Sequence, residues 1–171
     1  MFVTKPTFIV AELPEAIAGW VKSVRQELEP AIAQMPCEIT LTGSSGVGQL
    51  KVGQNFEDIE RILSELLEHR LPFEARFLRI KHFPNTEIFL LEPAREPFDE
   101  LHSLIANSVL EFEANPFPFN PHCSLKGFTP LQPRDRKRLE QLVIPAESFL
   151  IQSVALYELE NMQPKRLMVI N

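Results

Sequence analysis

The order of predicted secondary-structure elements occurs twice along the chain, and this repetition constrains the fold more than any other feature of the sequence. In each half an apolar strand, FIVAELP or IFLLEP, precedes a helix that starts with proline and then a short strand, EITL or HCSL. A second helix and a further strand, FEARFLRI or SFLIQSVALYEL, complete each half. The repeat predicts an α+β fold with two β-α-β-α-β lobes related by a pseudo-two-fold axis, in which antiparallel-rich sheets surround a central cleft.

Apolar residues at helical spacing predict four helices. The first begins at Pro14 and ends near Leu28, and the second has Asn55 as its N-cap and acidic residues in its first turn. The third begins at Pro97 and continues to Phe112, and the fourth covers about 134–143. Apolar runs and period-2 alternation predict strands at Thr7–Leu13, Cys37–Thr42, Phe73–Phe83, Glu87–Glu92, His122–Phe128, Ser148–Glu158 and Arg166–Ile170.

The totals fit one folded domain over residues 1–171, with lobes at about 1–86 and 87–171 and with exchange of strands between the lobes left open. Apolar residues make up 44% of the chain and charged residues 23%, which disfavours disorder. The net charge of −6 argues against binding to duplex DNA. No signal peptide is evident, and no apolar run approaches the roughly 20 residues that cross a bilayer. We therefore expect a cytoplasmic protein without membrane contact, whose oligomeric state is unknown.

Two short strands carry the polar residues from which a site can be built. Alternate residues of a strand share a face, so each strand presents three polar side chains on one side: Glu38, Thr40 and Thr42 on EITL and its continuation, and His122, Ser124 and Lys126 on HCSLK. The repeat makes the two strands equivalent, and we expect them to meet across the cleft. A proton-transfer group two residues from a hydroxyl would then lie on each side of a bound phosphate.

These residues stand in recognisable motifs. Pro121 to Leu125 read PHCSL, residues 36–43 read PCEITLTG, and the ending VALYELE contains Tyr157. Over nearly its whole length the chain resembles the 2H phosphoesterase superfamily, which includes 2′-5′ RNA ligase-like and cyclic phosphodiesterase-like proteins. This superfamily carries two His-x-Thr/Ser-x motifs in a bilobal fold, and Glu38 stands where the first histidine is expected.

The resemblance implies a function in RNA processing or nucleotide metabolism. The expected partner is a nucleotide or an RNA-end phosphate ester, such as a 2′,3′-cyclic phosphate, a 1″,2″-cyclic phosphate or a 2′-5′ linkage, and neither a metal nor another cofactor is expected. By the resemblance His122 transfers protons, Ser124 and Thr40 hold the phosphate, and Glu38 is an altered second acid-base group. We expect further contacts with the substrate from Lys126, Thr42 and Tyr157.

The carboxylate of Glu38 changes the electrostatics of such a site. At about 4 Å from a phosphate anion it would be repelled by roughly 4 kcal/mol at an effective dielectric constant near 20. Three interpretations are open: Glu38 holds a proton and acts as a general acid, it pairs with Lys126, or the site has lost its original chemistry. A non-catalytic nucleotide-binding or partner-binding protein on the same scaffold is therefore the alternative function.

Three other features are interpreted as structural. The loop Gly43–Gly48 lacks the Gly-Lys-Ser/Thr ending of a phosphate-binding loop and is expected to be a flexible turn. Cys37 and Cys123 are expected in the core, and His102 at the surface.

Overall fold

The computed structural model describes residues 1–83, 85–161 and 163–171. These ranges contain four α-helices: α1 (Glu15–Leu28), α2 (Phe56–Leu67), α3 (Glu96–Ala106) and α4 (Pro133–Glu140). They also contain nine strands: β1 (Thr7–Glu12), β2 (Glu38–Thr40), β3 (Phe73–Ala75), β4 (Phe77–His82), β5 (Phe89–Pro93), β6 (Cys123–Lys126), β7 (Phe149–Ile151), β8 (Val154–Glu160) and β9 (Gln163–Ile170). A short 3-10 helix, Pro30–Ile32, follows α1.

The strands form three antiparallel sheets, in the orders β2-β1-β8-β9, β3-β7 and β4-β5-β6. Strands from both halves of the chain share each sheet, since β8 and β9 extend the β1–β2 pair and β4 joins β5 and β6. The predicted mixed α/β fold with antiparallel sheets is confirmed.

Several predicted boundaries need correction. The third helix ends at Ala106 rather than Phe112, because the Ser108 side chain forms hydrogen bonds with backbone groups that a longer helix would pair with each other. The Ser108 hydroxyl donates to the Ile105 carbonyl at 2.7 Å and accepts from the Leu110 N–H at 3.2 Å. The predicted strand at 73–83 is two strands, because β3 pairs with β7 while β4 pairs with β5 in another sheet. The predicted strand at 148–158 is likewise divided, between β7 and β8.

Local sequence explains the clearest helix. The side-chain oxygen of Asn55 accepts the N–H of Glu57 at 2.9 Å and caps the start of α2. Ile59, Leu63 and Leu67 then recur at four-residue intervals and are buried. This apolar stripe packs α2 against β9, and burial of such side chains stabilises the fold by about 1.5–3 kcal/mol each.

The larger of two hydrophobic clusters among the described residues contains side chains from both larger sheets. It contains Ile9 and Ile39 from the four-stranded sheet together with Leu91 and Leu125 from the three-stranded sheet. The motif strands β2 and β6 are edge strands of these sheets, they lie close to one another, and α1 packs against β6. Among the described helices there is none with the length and apolar content that crossing a membrane requires.

Candidate functional site

Glu38 lies on β2, the edge strand of the four-stranded sheet, and is half-buried. Its cross-strand neighbour on β1 is Glu12, while Thr40 lies opposite Val10. Burial raises the pKa of the Glu38 carboxyl to about 7, although the positive charge of Arg25 and the hydroxyl of Thr40 act in the opposite direction. Glu38 therefore holds a proton over much of the range below neutral pH.

His122 immediately precedes β6 and is also half-buried. Its Nδ1 lies 2.7 Å from the carbonyl oxygen of Asn120. A carbonyl oxygen only accepts, so Nδ1 carries the proton and the neutral ring keeps a lone pair on Nε2. Burial lowers the pKa of His122, with a contribution from the charge of Lys81, while the bond to Asn120 opposes the shift. His122 is therefore neutral at pH 7, as a general base must be.

A cavity of about 600 Å³ joins the two motif strands. Glu38 from β2 and Ser124 from β6 both line it. His122 precedes Ser124 by two residues but does not line this cavity, and neither does Thr40. The remaining wall is largely apolar, with contributions from Phe8, Ile32, Met35, Pro36, Phe128 and Leu159. Two charged side chains, Arg25 and Glu29, also line it.

A hydrogen-bonded cluster surrounds Glu12, next to Glu38. Its carboxylate accepts from the Tyr157 hydroxyl at 2.7 Å, from the Ser153 hydroxyl at 3.1 Å and from Nη1 of Arg166 at 3.2 Å. Burial and the bond to Glu12 raise the pKa of Tyr157, so the phenol remains a hydrogen-bond donor at neutral pH. Tyr157 is 6% exposed and uses its hydroxyl on Glu12. Its contact with a substrate stays a prediction.

A model of the 2′-5′ RNA ligase superfamily matches residues 13–163. The chain belongs to this superfamily. The assignment of His122 and Ser124 to the second motif, and of Glu38 and Thr40 to the first, stays a prediction. The recognition made from the motifs is thus confirmed at the level of the family.

Solved structures show the same fold. The chain is similar to TT0787 of Thermus thermophilus, with a TM-score of 0.64 and 19% identity over 96% of each chain. It is also similar to E. coli LigT in its complex with 3′-AMP, with a TM-score of 0.55 and 17% identity over 96% of this chain and 95% of LigT. A structure titled phosphoesterase matches with a TM-score of 0.54 and 18% identity over 98% and 97% of the two chains. No curated protein matches the chain significantly.

The structure corrects the expected role of Lys126. The side chain is fully buried, and Nζ donates to the carbonyl oxygen and the hydroxyl of Thr129, each 2.7 Å away. The irregular register between β5 and β6 pairs Leu90 with Ser124 but Phe89 with Lys126, so simple alternation does not continue along the strand. The amine is therefore neither in the cleft nor paired with a carboxylate across it.

Thr42 also differs from the prediction, because the alternation of the strand does not extend to it. Strand β2 ends at Thr40, and the N–H groups of Leu41 and Thr42 both donate to the carbonyl oxygen of Ile9. The Thr42 hydroxyl accepts the Ile9 N–H at 2.9 Å and is fully buried. This hydrogen bond extends the pairing of β1 with the chain beyond the end of β2, so the Thr42 hydroxyl is not available to a ligand.

The sequence reasoning missed Arg25 and Glu29. Arg25 lies on the buried stripe of α1, and a charged residue at an apolar position was a signal that it has a special role. The buried Glu29 carboxylate accepts the successive N–H groups of Gly127, Phe128 and Thr129 at 2.6–3.1 Å and fixes the loop after β6.

Within the described ranges, no three His, Cys, Asp or Glu side chains are grouped as metal ligands.

The glycine loop is bonded to the chain that leads into His122. The N–H of Gly46 donates to the Phe117 carbonyl and that of Gly48 to the Glu113 carbonyl, each at 2.9 Å. The Ser45 hydroxyl accepts the Asn120 N–H at 3.0 Å. The loop predicted as a flexible turn therefore supports the backbone carbonyl that orients His122.

His102 lies beneath this loop and not at the surface, which corrects the earlier expectation. Its Nδ1 is 2.7 Å from the Leu41 carbonyl oxygen, and its ring stacks on Phe119 with centroids 3.9 Å apart. Gly46 has a φ of +72°, and a Cβ there would come within 2.2 Å of the imidazole. Both the backbone conformation and the packed ring require glycine at this position.

Proposed function

We propose that the protein is a phosphoesterase that hydrolyses cyclic phosphates of nucleotides or RNA ends by acid-base chemistry without a metal. The observation that carries this proposal is the shared cavity: Glu38 and Ser124 come from the two motif strands and line one space of about 600 Å³. Pockets of this volume with apolar walls and few polar groups bind small organic ligands. The superfamily membership supports phosphate-ester chemistry in that pocket.

In the proposed reaction the two motif residues have complementary tasks. Water attacks phosphorus while Nε2 of His122 takes its proton, and the P–O bond of the cyclic ester breaks. The protonated carboxyl of Glu38 donates its proton to the leaving ribose oxygen, which yields a phosphomonoester. His122 ends protonated and Glu38 ionised, and exchange of a proton with solvent restores both.

This assignment also resolves the repulsion expected for a carboxylate at a phosphate site. A protonated Glu38 carries no negative charge, so the phosphate is not repelled before the proton is transferred. The hydroxyls of Ser124 and Thr40 are assigned to hold the phosphate oxygens, since both are half-buried and belong to the motif strands. E. coli LigT, which has the same fold, has been crystallised with phosphate, 3′-AMP and ATP, and this supports a nucleotide as the substrate.

The test is hydrolysis of a panel containing 2′,3′-cyclic nucleotides, a 1″,2″-cyclic phosphate and 2′-5′ oligonucleotides, with and without EDTA. We expect turnover of at least one cyclic phosphate that EDTA leaves unchanged, and no turnover by a Glu38→Gln/His122→Ala protein. Loss of activity in EDTA and its recovery with zinc or manganese would contradict the metal-independent mechanism. Binding of 3′-AMP without turnover of any substrate would favour the non-catalytic nucleotide-binding function.

A further inference from the structure

Arg25 is a charged side chain on the otherwise apolar face of α1. Val21, Val24 and Leu28 surround it on this face, and 4% of the Arg25 surface is exposed. Burial of a guanidinium costs free energy unless both its N–H groups and its charge find partners. The groups that the Arg25 guanidinium contacts therefore indicate the role of this residue.

The N–H groups of Arg25 bind the backbone of both motif segments. Nη1 donates to the carbonyl oxygens of Met35 and Pro36, at 3.1 and 3.0 Å, in the segment that leads into Glu38. Nε donates to the carbonyl oxygen of Ser124 in β6 at 2.9 Å. One planar group thus connects the two chain segments, and its fixed geometry sets the distance between them.

The other close partners of the guanidinium are two cysteines. Nη1 lies 3.6 Å from Sγ of Cys37, and Nη2 lies 3.9 Å from Sγ of Cys123. Burial raises the pKa of both thiols, so both are neutral at physiological pH. Its hydrogen-bond partners are thus carbonyl groups and thiols, and among the described residues no carboxylate forms an ion pair with it. The buried Glu29 lines the same cavity, but its carboxylate is bonded to the backbone N–H groups of residues 127–129.

We propose that Arg25 is a positioning residue: it holds the segments that carry Glu38 and Ser124 at a fixed separation, and its charge favours an anion between them. This inference rests on the proposed function, because the anion is the phosphate of the substrate. Arg25 acts through the backbone carbonyls that it holds and through its electric field, which little water screens at a buried position.

The field of Arg25 acts on Glu38 together with groups from the neighbouring strands. Glu12 of β1 is the cross-strand neighbour of Glu38 and is bonded to Arg166 of β9. Two neutral groups lie on other strands: the phenol of Tyr157 on β8 and the thiol of Cys123 on β6. Of these groups Arg25 is the one whose charge lowers the pKa of Glu38. Its removal must therefore raise that pKa further.

Three substitutions separate charge from geometry. Arg25→Gln removes the charge, and Arg25→Lys keeps the charge but cannot reproduce the three bonds of the planar fork. Lys22→Gln removes one positive charge from an exposed position of the same helix and is the matched control. For each protein we would measure binding of inorganic phosphate by calorimetry, titration of the Glu38 carboxyl by ¹³C NMR, and kcat and KM for a 2′,3′-cyclic nucleotide.

For Arg25→Gln we expect phosphate binding to weaken by at least about tenfold, which corresponds to roughly 1.4 kcal/mol, and the Glu38 titration to move to higher pH. For Arg25→Lys we expect a loss of kcat with phosphate affinity close to that of wild type. Lys22→Gln should change none of these quantities. If Arg25→Gln does not fold, Arg25→Lys decides: unchanged kcat in that variant would overturn the positioning role.

Two results distinguish a failure of this inference about Arg25 from a failure of the proposed function. If wild type hydrolyses the cyclic nucleotide and Arg25→Gln binds phosphate and titrates like wild type, the role of Arg25 is refuted while the function stands. If wild type neither binds phosphate nor turns over any substrate, the proposed function is refuted. The carboxyl titration in wild type and Arg25→Gln then still tests whether Arg25 acts on Glu38.

Discussion

The motif strands β2 and β6 occupy equivalent places in the repeated element order, yet their surroundings drive the two key residues towards opposite acid-base roles. On β2, burial raises the pKa of Glu38 to about 7, which keeps an acid protonated. Immediately before β6, burial lowers the pKa of His122, which keeps a base neutral. The same physical cause, loss of hydration by the charged form, thus prepares a proton donor on one strand and a proton acceptor on the other.

The two strands also differ in how their key side chains are held. The ring of His122 is oriented by a 2.7 Å bond to the carbonyl of Asn120, and Asn120 is in turn bonded to Ser45 of the glycine loop. For Glu38 the neighbours act on the pKa instead: the charge of Arg25 and the hydroxyl of Thr40 on the same strand both lower it. We propose that Glu38 serves as the proton donor of the first motif, because burial raises its pKa to about 7.

The largest effect is expected on the β6 side of this comparison. His122→Ala removes the proposed base and should reduce kcat/KM for a cyclic nucleotide by about 10²–10⁴-fold, the usual contribution of a general base. His69→Ala is the matched control, because the His69 side chain is 88% exposed. Steady-state kinetics at pH 6.5 measure both variants, and activity in His122→Ala close to that of the control would eliminate His122 as the base.

Substitution of Glu38 tests the β2 side. Glu38→Gln keeps the shape of the side chain but has no proton to transfer, and we expect a decrease of about 10²-fold in kcat/KM. Glu38→His replaces a neutral proton donor with a positively charged one, and its activity should exceed that of wild type by at least about tenfold at pH 6, since roughly 1.4 kcal/mol is only part of the attraction between unit charges about 4 Å apart. Lower activity in Glu38→His than in wild type would show that the carboxyl is specifically adapted.

The support for His122 from the glycine loop is tested by Ser45→Ala. The substitution leaves the N–H of Asn120 without its acceptor, and a buried unsatisfied donor costs about 1–3 kcal/mol. Urea denaturation should show that loss in the free energy of unfolding, while Ser44→Ala, at an exposed neighbouring position, should not. Equal stabilities of the two variants would mean that the loop does not hold the segment before β6.

The two motif residues should also give opposite pH dependences of stability. The folded-state pKa of Glu38 lies above its ordinary value of 4.5, so its contribution to stability is present below pH 4.5 and is lost as pH rises through about 7. The folded-state pKa of His122 lies below 6.5, so its contribution is lost as pH falls below 6.5. Denaturation at pH 5 and pH 8 should show that Glu38→Gln gains relative to wild type at pH 8 and His122→Gln gains at pH 5. Parallel curves for the two variants would contradict the opposite shifts.

Local patterns in the sequence were sufficient for the element order and for the identity of the motifs. The helical stripe of α2, its cap at Asn55 and the repeat of short strands are all encoded within a few residues of one another, which is why they were predicted from the chain alone. Helix ends were less certain: α3 stops where the hydroxyl of Ser108 competes for backbone groups, a contact that apolar spacing does not reveal.

The sequence by itself determined the family and the antiparallel α/β architecture, because these depend on local periodicity and on motifs. The tertiary structure decided that Lys126 and Thr42 are buried, since strand irregularities interrupt the alternation that the prediction assumed. It also decided that Arg25 connects the motif segments and that Glu38 holds a proton near neutral pH. Burial and contacts between residues about 100 positions apart set these properties, and no local pattern contains them.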